Sequence, residues 1–320
     1  MKRTVSGVLV VAMLATAAVA AQRGGGGGGS RGGGGASSGS QPTALDQLND
    51  RLNLDKTTQQ PLVQQVFTDA ARLAEPVAQE MTRLRRRLFD LEVTGTSAEA
   101  PPVLEAYTVA ATKMARIEAD AYARIFGDLK PKQQAKTPEA FALVAGFFQS
   151  VGSAAGRAAR TGSEGGALFE VSASALQRGG GGGGGSGRGG GSATPLSRLD
   201  TLTRAFTLDK AEVKQFKQIL DDAHKGAASL RDQLIATHAA IGAAIQAGKA
   251  SADLDELAKA YAIPATAMTR AEVQALAQVI LALPESQRAN TAATDTAFSL
   301  AHGIFLDNKK WDMVPNGRNY

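Results

Sequence analysis

Arg83, Arg85, Arg86 and Arg87 form the densest charge cluster in the chain, with Leu84, Leu88 and Phe89 interleaved among them. Guanidinium groups beside apolar side chains suit recognition of non-native polypeptide. The charge attracts acidic segments at long range, and the apolar neighbours hold exposed hydrophobic groups. The same stretch also fits a solvated helix face, with Asp90 and Glu92 available for ion pairs. Other chemistry-bearing residues are sparse. The histidines are His224, His238 and His302, and cysteine is absent. No disulfide, thiolate zinc site or Cys nucleophile is therefore possible. His224 and His238 lie 14 positions apart, about 21 Å along a helix, too far to share a metal ion. Asp221 near His224 is a weak carboxylate–imidazole pair, and surface histidines are the default expectation. No metal and no other cofactor is expected. G-x-S-x-G, H-E-x-x-H and G-K-[ST] are all missing, so the chain does not read as an enzyme.

The elements that carry these residues repeat. Leu54-Asp55-Lys56 matches Leu208-Asp209-Lys210 at an offset of 154, and the same offset relates Tyr107 to Tyr261, Met114 to Met268, Glu118 to Glu272, Leu129 to Leu283 and Gln133 to Gln287. The offset never changes, so no net insertion separates the matched positions. In the first repeat, apolar residues at Val63, Val66, Ala70, Leu73, Val77, Leu84, Leu88 and Leu91 define one face of a long helix. Pro61 sits near its start and Pro76 is expected to kink it. Thr96 to Glu99 reads as a capping box before a helix carrying Leu104, Tyr107, Met114, Ile117 and Ile125. Pro131 is placed to open a last helix through Phe148. In the second repeat, Asp209 and Glu212 cap a helix from Val213 through Ile245. Ser251 is placed to cap the next, Pro264 to kink it, and Pro284 to open a last helix ending near Phe305. Short amphipathic helices, Leu45 to Leu52 and Leu196 to Phe206, precede the long ones. Tyr107, Tyr261, Met114 and Met268 read as core. Trp311, in the tail beside Lys309, Lys310 and Met313, is expected to dock on the helical unit.

Around the repeats the composition changes. Lys2 and Arg3, an uncharged run from Val5 to Ala20 and Ala18-Val19-Ala20 read as a cleaved secretory signal over 1–21. Removing it lowers the net charge from +5 to +3, too mild to imply a polyanion partner. Gly runs at 24–29 and 179–185 cannot recover their ordering entropy and read as tethers. Arg23, Arg31, Arg178 and Arg188 give them an RGG character, but no aromatic residue is interleaved for base stacking, and nucleic acid is not expected. The expected organisation is a signal at 1–21, a Gly/Arg linker at 22–41, a helical unit at 42–150, a linker at 151–192, a second helical unit at 193–306 and a tail at 307–320. The class is all-α: two tandem four-helix hairpin units joined by Gly-rich linkers.

The motifs Leu129-Lys130-Pro131-Lys132-Gln133 and Leu283-Pro284-Glu285-Ser286-Gln287, preceded by Leu54 to Gln59 and by Leu208 onward, resemble the paired LTxxQ motifs of the Spy/CpxP family of periplasmic proteins. Both depart from the family pattern in lacking Thr. The resemblance covers about 220 residues of the chain. It implies a helical hairpin that dimerises into a curved cradle and binds non-native proteins without ATP. Here the two repeats would form an internal pseudo-dimer, or the chain a homo-oligomer. The motif residues Leu129, Gln133, Leu283 and Gln287 are expected to be structural: the Leu packs under the turn and the Gln bonds backbone near the helix start.

The expectation is an exported periplasmic holdase whose partners are unfolded or partly folded exported proteins, gripped through Arg83, Arg85, Arg86, Arg87, Leu84, Leu88 and Phe89. Shielding exposed apolar patches lowers the free concentration that can aggregate. The resemblance also admits a metal-responsive periplasmic module, and the Gly-rich tethers admit a structural envelope scaffold. No stable membrane insertion is expected.

Overall fold

A computed structural model describes residues 44–137, 140–141, 197–306 and 310–312. The expected signal and both Gly-rich linkers lie outside the described residues, as do Leu196, Phe148 and Met313. Among the described residues every regular element is a helix, and none is long and apolar enough to cross a membrane.

The helices are α1 (Ala44–Leu52), α2 (Gln59–Thr94), α3 (Ala100–Gly127), α4 (Pro131–Gln134), α5 (Arg198–Phe206), α6 (Lys210–Gly226), α7 (Ala228–Gln246), α8 (Ser251–Leu281), α9 (Glu285–Arg288) and α10 (Thr291–Leu300). A 3-10 turn, Ser97–Glu99, leads into α3. Pro76 and Pro264 lie inside α2 and α8, and both helices continue past them. The long helix of the second repeat is instead interrupted at Ala227, between α6 and α7. Gly226 precedes the break where the first repeat has Arg72, and Gly costs about 1 kcal/mol in a helix interior. The last helix of the second repeat is also split. Asn290 stops α9 and caps α10, its Oδ1 accepting from the Ala293 N–H at 3.1 Å. The expected helix to Phe305 therefore ends at Leu300.

Capping follows the sequence where the partners are local. Asp209 Oδ1 accepts from the N–H groups of Ala211 (2.8 Å) and Glu212 (2.9 Å), and Glu212 Oε2 accepts from the Asp209 N–H. The other two expected caps are not made. Pro101 and Pro102 occupy the first turn of α3 and leave fewer N–H groups to cap, and Glu99 pairs with Arg87 at 3.2 Å. Ser251 is the first residue of α8, and its Oγ accepts from Arg116 Nη2 at 2.7 Å.

Asn53 and Thr207, matched by the repeat offset, both take positive φ, at 52° and 54°. Asn tolerates this conformation, whereas a β-branched residue is strained there. Thr207→Asn is therefore expected to stabilise the protein by about 1 kcal/mol, raising the melting midpoint by about 2–4 °C. Differential scanning calorimetry checks this, and a lowered midpoint contradicts it.

The described residues all fall within one compact unit. Each core takes side chains from both repeats. One gathers Leu48, Leu52, Phe67, Met114, Tyr122 and Ile125 with Ile241, Ile245 and Leu254. The other gathers Phe206, Phe216, Leu276, Phe305 and Trp311 with Leu88, Phe89 and Leu91. The two cores meet along a seam of α3 against α8. Thr269 Oγ1 donates to the Tyr107 hydroxyl at 2.8 Å, and the Thr108 and Thr266 hydroxyls are 2.9 Å apart. Arg116 reaches back to the Ser251 carbonyl (2.7 Å) and Asp255 (2.8 Å). Later positions on α3 meet earlier ones on α8, so the helices run antiparallel. Small residues such as Ala110, Ala111, Ala115, Ala258 and Ala262 are buried in these two helices, and their size allows close backbone approach.

Candidate functional site

The arginine cluster lies on the last turns of α2. The 3.6-residue period divides it. Leu84, Leu88 and Phe89 turn into the core, and Arg85 goes with them. Phe298 on α10 is the reason Arg85 can be buried. Arg85 Nη2 donates to the Phe298 carbonyl at 3.0 Å, and its guanidinium lies 4.7 Å from the Phe298 ring centre. Arg86 covers the same ring at 5.2 Å and bonds Asp295 at 2.7 Å and Asp90 at 3.4 Å. Arg83 bonds Glu80 and Arg87 bonds Glu99. Between these side chains is an open cleft of about 540 Å³ lined by Thr82, Arg83, Arg86, Arg87, Asp90 and Phe298.

This arrangement locates the residues of the expected client surface. Its apolar half, Leu84, Leu88 and Phe89, is core, and Arg85 is buried. The remaining Arg83, Arg86 and Arg87 face Glu80, Asp90, Glu99 and Asp295, so the patch carries no net positive charge. Arg85 and Arg86 fasten α10 to α2 through Phe298 and Asp295.

The motif residues lie in and just before α4 and α9. Leu129 and Leu283 are buried. The Gln133 and Gln59 side-chain amides pair reciprocally, with both N–H···O distances 2.9 Å. Gln133 Oε1 also accepts from the Lys130 N–H (2.9 Å), and its Nε2 donates to the Asn53 carbonyl (3.1 Å). Gln59 Oε1 accepts from the Asp55 N–H, and its Nε2 donates to the Asp128 carbonyl. Two side chains thus bind the turn before α2 to the turn before α4. Asp55 supports this clasp: the N–H and hydroxyl groups of Thr57 and Thr58 all converge on its Oδ1. The Thr57 and Thr58 side-chain bonds, with the backbone bonds, hold the Asp55 carboxyl far below the usual carboxylate range. The second repeat has Val213 in place of Gln59, and Gln287 Nε2 donates to Glu212 Oε2 at 3.3 Å instead.

The histidines are not all surface groups. His238 is half-buried between the rings of Tyr122 and Tyr261, 6.2 Å from each. His224 packs on the Phe305 ring and its Nε2 lies 3.3 Å from Arg231. His302 is half-buried with Nδ1 enclosed. Among the described residues no group of three or more His, Cys, Asp or Glu side chains could hold a metal ion.

Two features recur at matched repeat positions. The first is the matched acid pair: Glu118 and Glu272 are both buried. Glu118 accepts from the Tyr122 hydroxyl at 3.0 Å, and burial together with this carboxylate pushes Tyr122 well above its usual value. The second is a matched apolar pair on the polar stripe of each seam helix. Val109 is 52% exposed and Ile263 is 67% exposed, at the same repeat position. Because α3 and α8 run antiparallel and meet at Thr108 and Thr266, both lie beside the centre of the seam. Lys113 and Lys259 are exposed on the same stripes. Leu73, Ile235 and Leu281 are further exposed apolar side chains.

Comparison with known proteins returns no match: no family model, no curated protein and no solved structure.

Proposed function

We propose that this chain is an exported, ATP-independent holdase that binds non-native proteins in the periplasm and limits their aggregation, in the manner its LTxxQ-like motifs imply by resemblance to Spy/CpxP. The observation that carries the reading is the pair Val109 and Ile263. Large apolar side chains recur at one repeat position, over half exposed, beside the centre of an antiparallel seam, with lysines along the same stripes. A shallow apolar spot rimmed by charge engages many sequences weakly, which suits a binder of heterogeneous partly folded chains. The seam joins matching helices of the two repeats, so the chain supplies within itself a two-helix frame of the kind a dimer would make. The client surface assigned here is the α3/α8 face, not the end of α2.

The test separates the two surfaces. Val109→Ser with Ile263→Ser should reduce suppression of client aggregation several-fold while leaving far-ultraviolet circular dichroism unchanged, because neither side chain is core. Arg83→Gln with Arg87→Gln should leave suppression nearly unchanged, because those arginines are already occupied by Glu80 and Glu99. Light scattering of a chemically denatured client measures both. Full suppression by the Val109/Ile263 variant sinks the assignment.

A further inference from the structure

Glu272 on α8 is 3% exposed. Its carboxyl accepts from the backbone N–H groups of Gly303 and Phe305, in the turn that follows α10. Its Oε1 has no hydrogen-bond partner in the structure, and the residue lines a void of about 10 Å³, room for about one water. The void is floored by Leu202, Leu220 and Leu276 and roofed by Ala297, Leu300 and Ile304. The roof is the thin side: a ten-residue helix and an irregular turn. Residues 310–312 continue this cover. Trp311 is 2% exposed, its Nε1 donates to Asp221 at 2.7 Å, and its carbonyl accepts from Arg198 Nη1 at 2.9 Å. The Arg198 N–H donates to the Asp312 carbonyl.

The geometry points to a proton-operated flap: with Glu272 protonated, α10, the 301–306 turn and Trp311 close over the core of the second repeat, and with Glu272 ionised the flap opens to admit water. The groups that face Glu272 are Arg85 from α2, Tyr107 from α3 and Arg198 from α5, and His302 from the turn lies near the same two arginines. Arg231 of α7 and His224 of α6 hold the other side of Phe305. Burial pushes Glu272 up to about 7, against Arg85, the two turn amides and Arg198. An acid raised on folding favours the closed state while protonated, and that preference is lost as pH rises through about 7. Arg198 couples the acid to the tail, since it attracts the ionised carboxylate and also holds the Trp311 carbonyl. Opening exposes Leu202, Leu220, Leu276 and Ile304. This inference does not depend on the holdase reading.

Trp311 is the only tryptophan, so the full chain reports on itself. Between pH 5.5 and 8.5, Trp311 emission should shift to the red and acrylamide quenching should rise at least about twofold, with a midpoint near pH 7. Asp221 does not contribute: although burial opposes it, bonds from Lys217 and Trp311 hold its carboxyl below the usual value, ionised throughout. Glu272→Gln should stay closed at every pH, and His224→Gln should keep the transition. An unchanged wild-type signal, a transition that persists in Glu272→Gln, or one that vanishes in His224→Gln overturns the flap. Should Glu272→Gln fail to fold, hydrogen exchange of the wild type decides. Protection over 291–306 and 310–312, corrected for intrinsic rate, should fall from pH 6 to pH 8 while α8 is unaffected. No difference, or a loss shared by α8, overturns the proposal.

Discussion

At pH 6, Trp311→Ala is expected to destabilise the protein by about 3–5 kcal/mol, the range for emptying a buried aromatic site. The side chain is 2% exposed and packs in the core with Phe216, Leu276 and Phe305. Its removal leaves a cavity that α6 and α10 cannot fill without moving. It also removes the indole N–H that Asp221 accepts, although Lys217 at 2.6 Å still pairs with that carboxylate, so the polar loss is the smaller part. The packing loss dominates, and Trp311→Phe should recover more than half of it. Urea unfolding followed by circular dichroism at 222 nm measures the difference without relying on the tryptophan. A loss below about 1 kcal/mol would mean that residues 310–312 are not part of the folded core.

Gln133→Ala is the second large effect, at about 2–4 kcal/mol. The buried side chain makes four hydrogen bonds, and truncation leaves the Asn53 carbonyl, the Lys130 N–H and the Gln59 amide short of partners together. Orphaned polar groups at an enclosed site cost more than the bonds themselves were worth. Gln287→Ala should cost only about 1 kcal/mol, because one 3.3 Å bond to Glu212 is the contact it loses. Gln59→Ala should be strongly non-additive with Gln133→Ala, with a coupling of about 1–3 kcal/mol. Equal losses at Gln133 and Gln287 would contradict the clasp.

The sequence was most legible where structure is local. The Asp209–Glu212 capping box and the periodic faces of α2, α3 and α8 depend on neighbours within a turn or two. Thr96 and Ser251 failed as caps for a longer-range reason: Arg87 takes Glu99 and Arg116 takes Ser251. The burial of Arg85 has the same longer-range cause. Nothing near position 85 in the chain announces that Phe298 will lie against α2 and draw Arg85 into the core. The matched positions carry two departures from their helix faces. Val109 and Ile263 are apolar on stripes that are otherwise polar, and Glu118 and Glu272 are acids among alanines; both departures are visible in the sequence once the helix faces are known. How the repeats interleave was not legible, because each half alone has an apolar face and does not specify what covers it.

The most direct test of the holdase reading is light scattering from a chemically denatured client diluted into buffer without ATP, with residues 22–320 added at one to four equivalents. Suppression that rises with the ratio, and no affinity for the same client in its native state, is the predicted result. Unchanged scattering in the presence of the folded, helical protein would contradict the account.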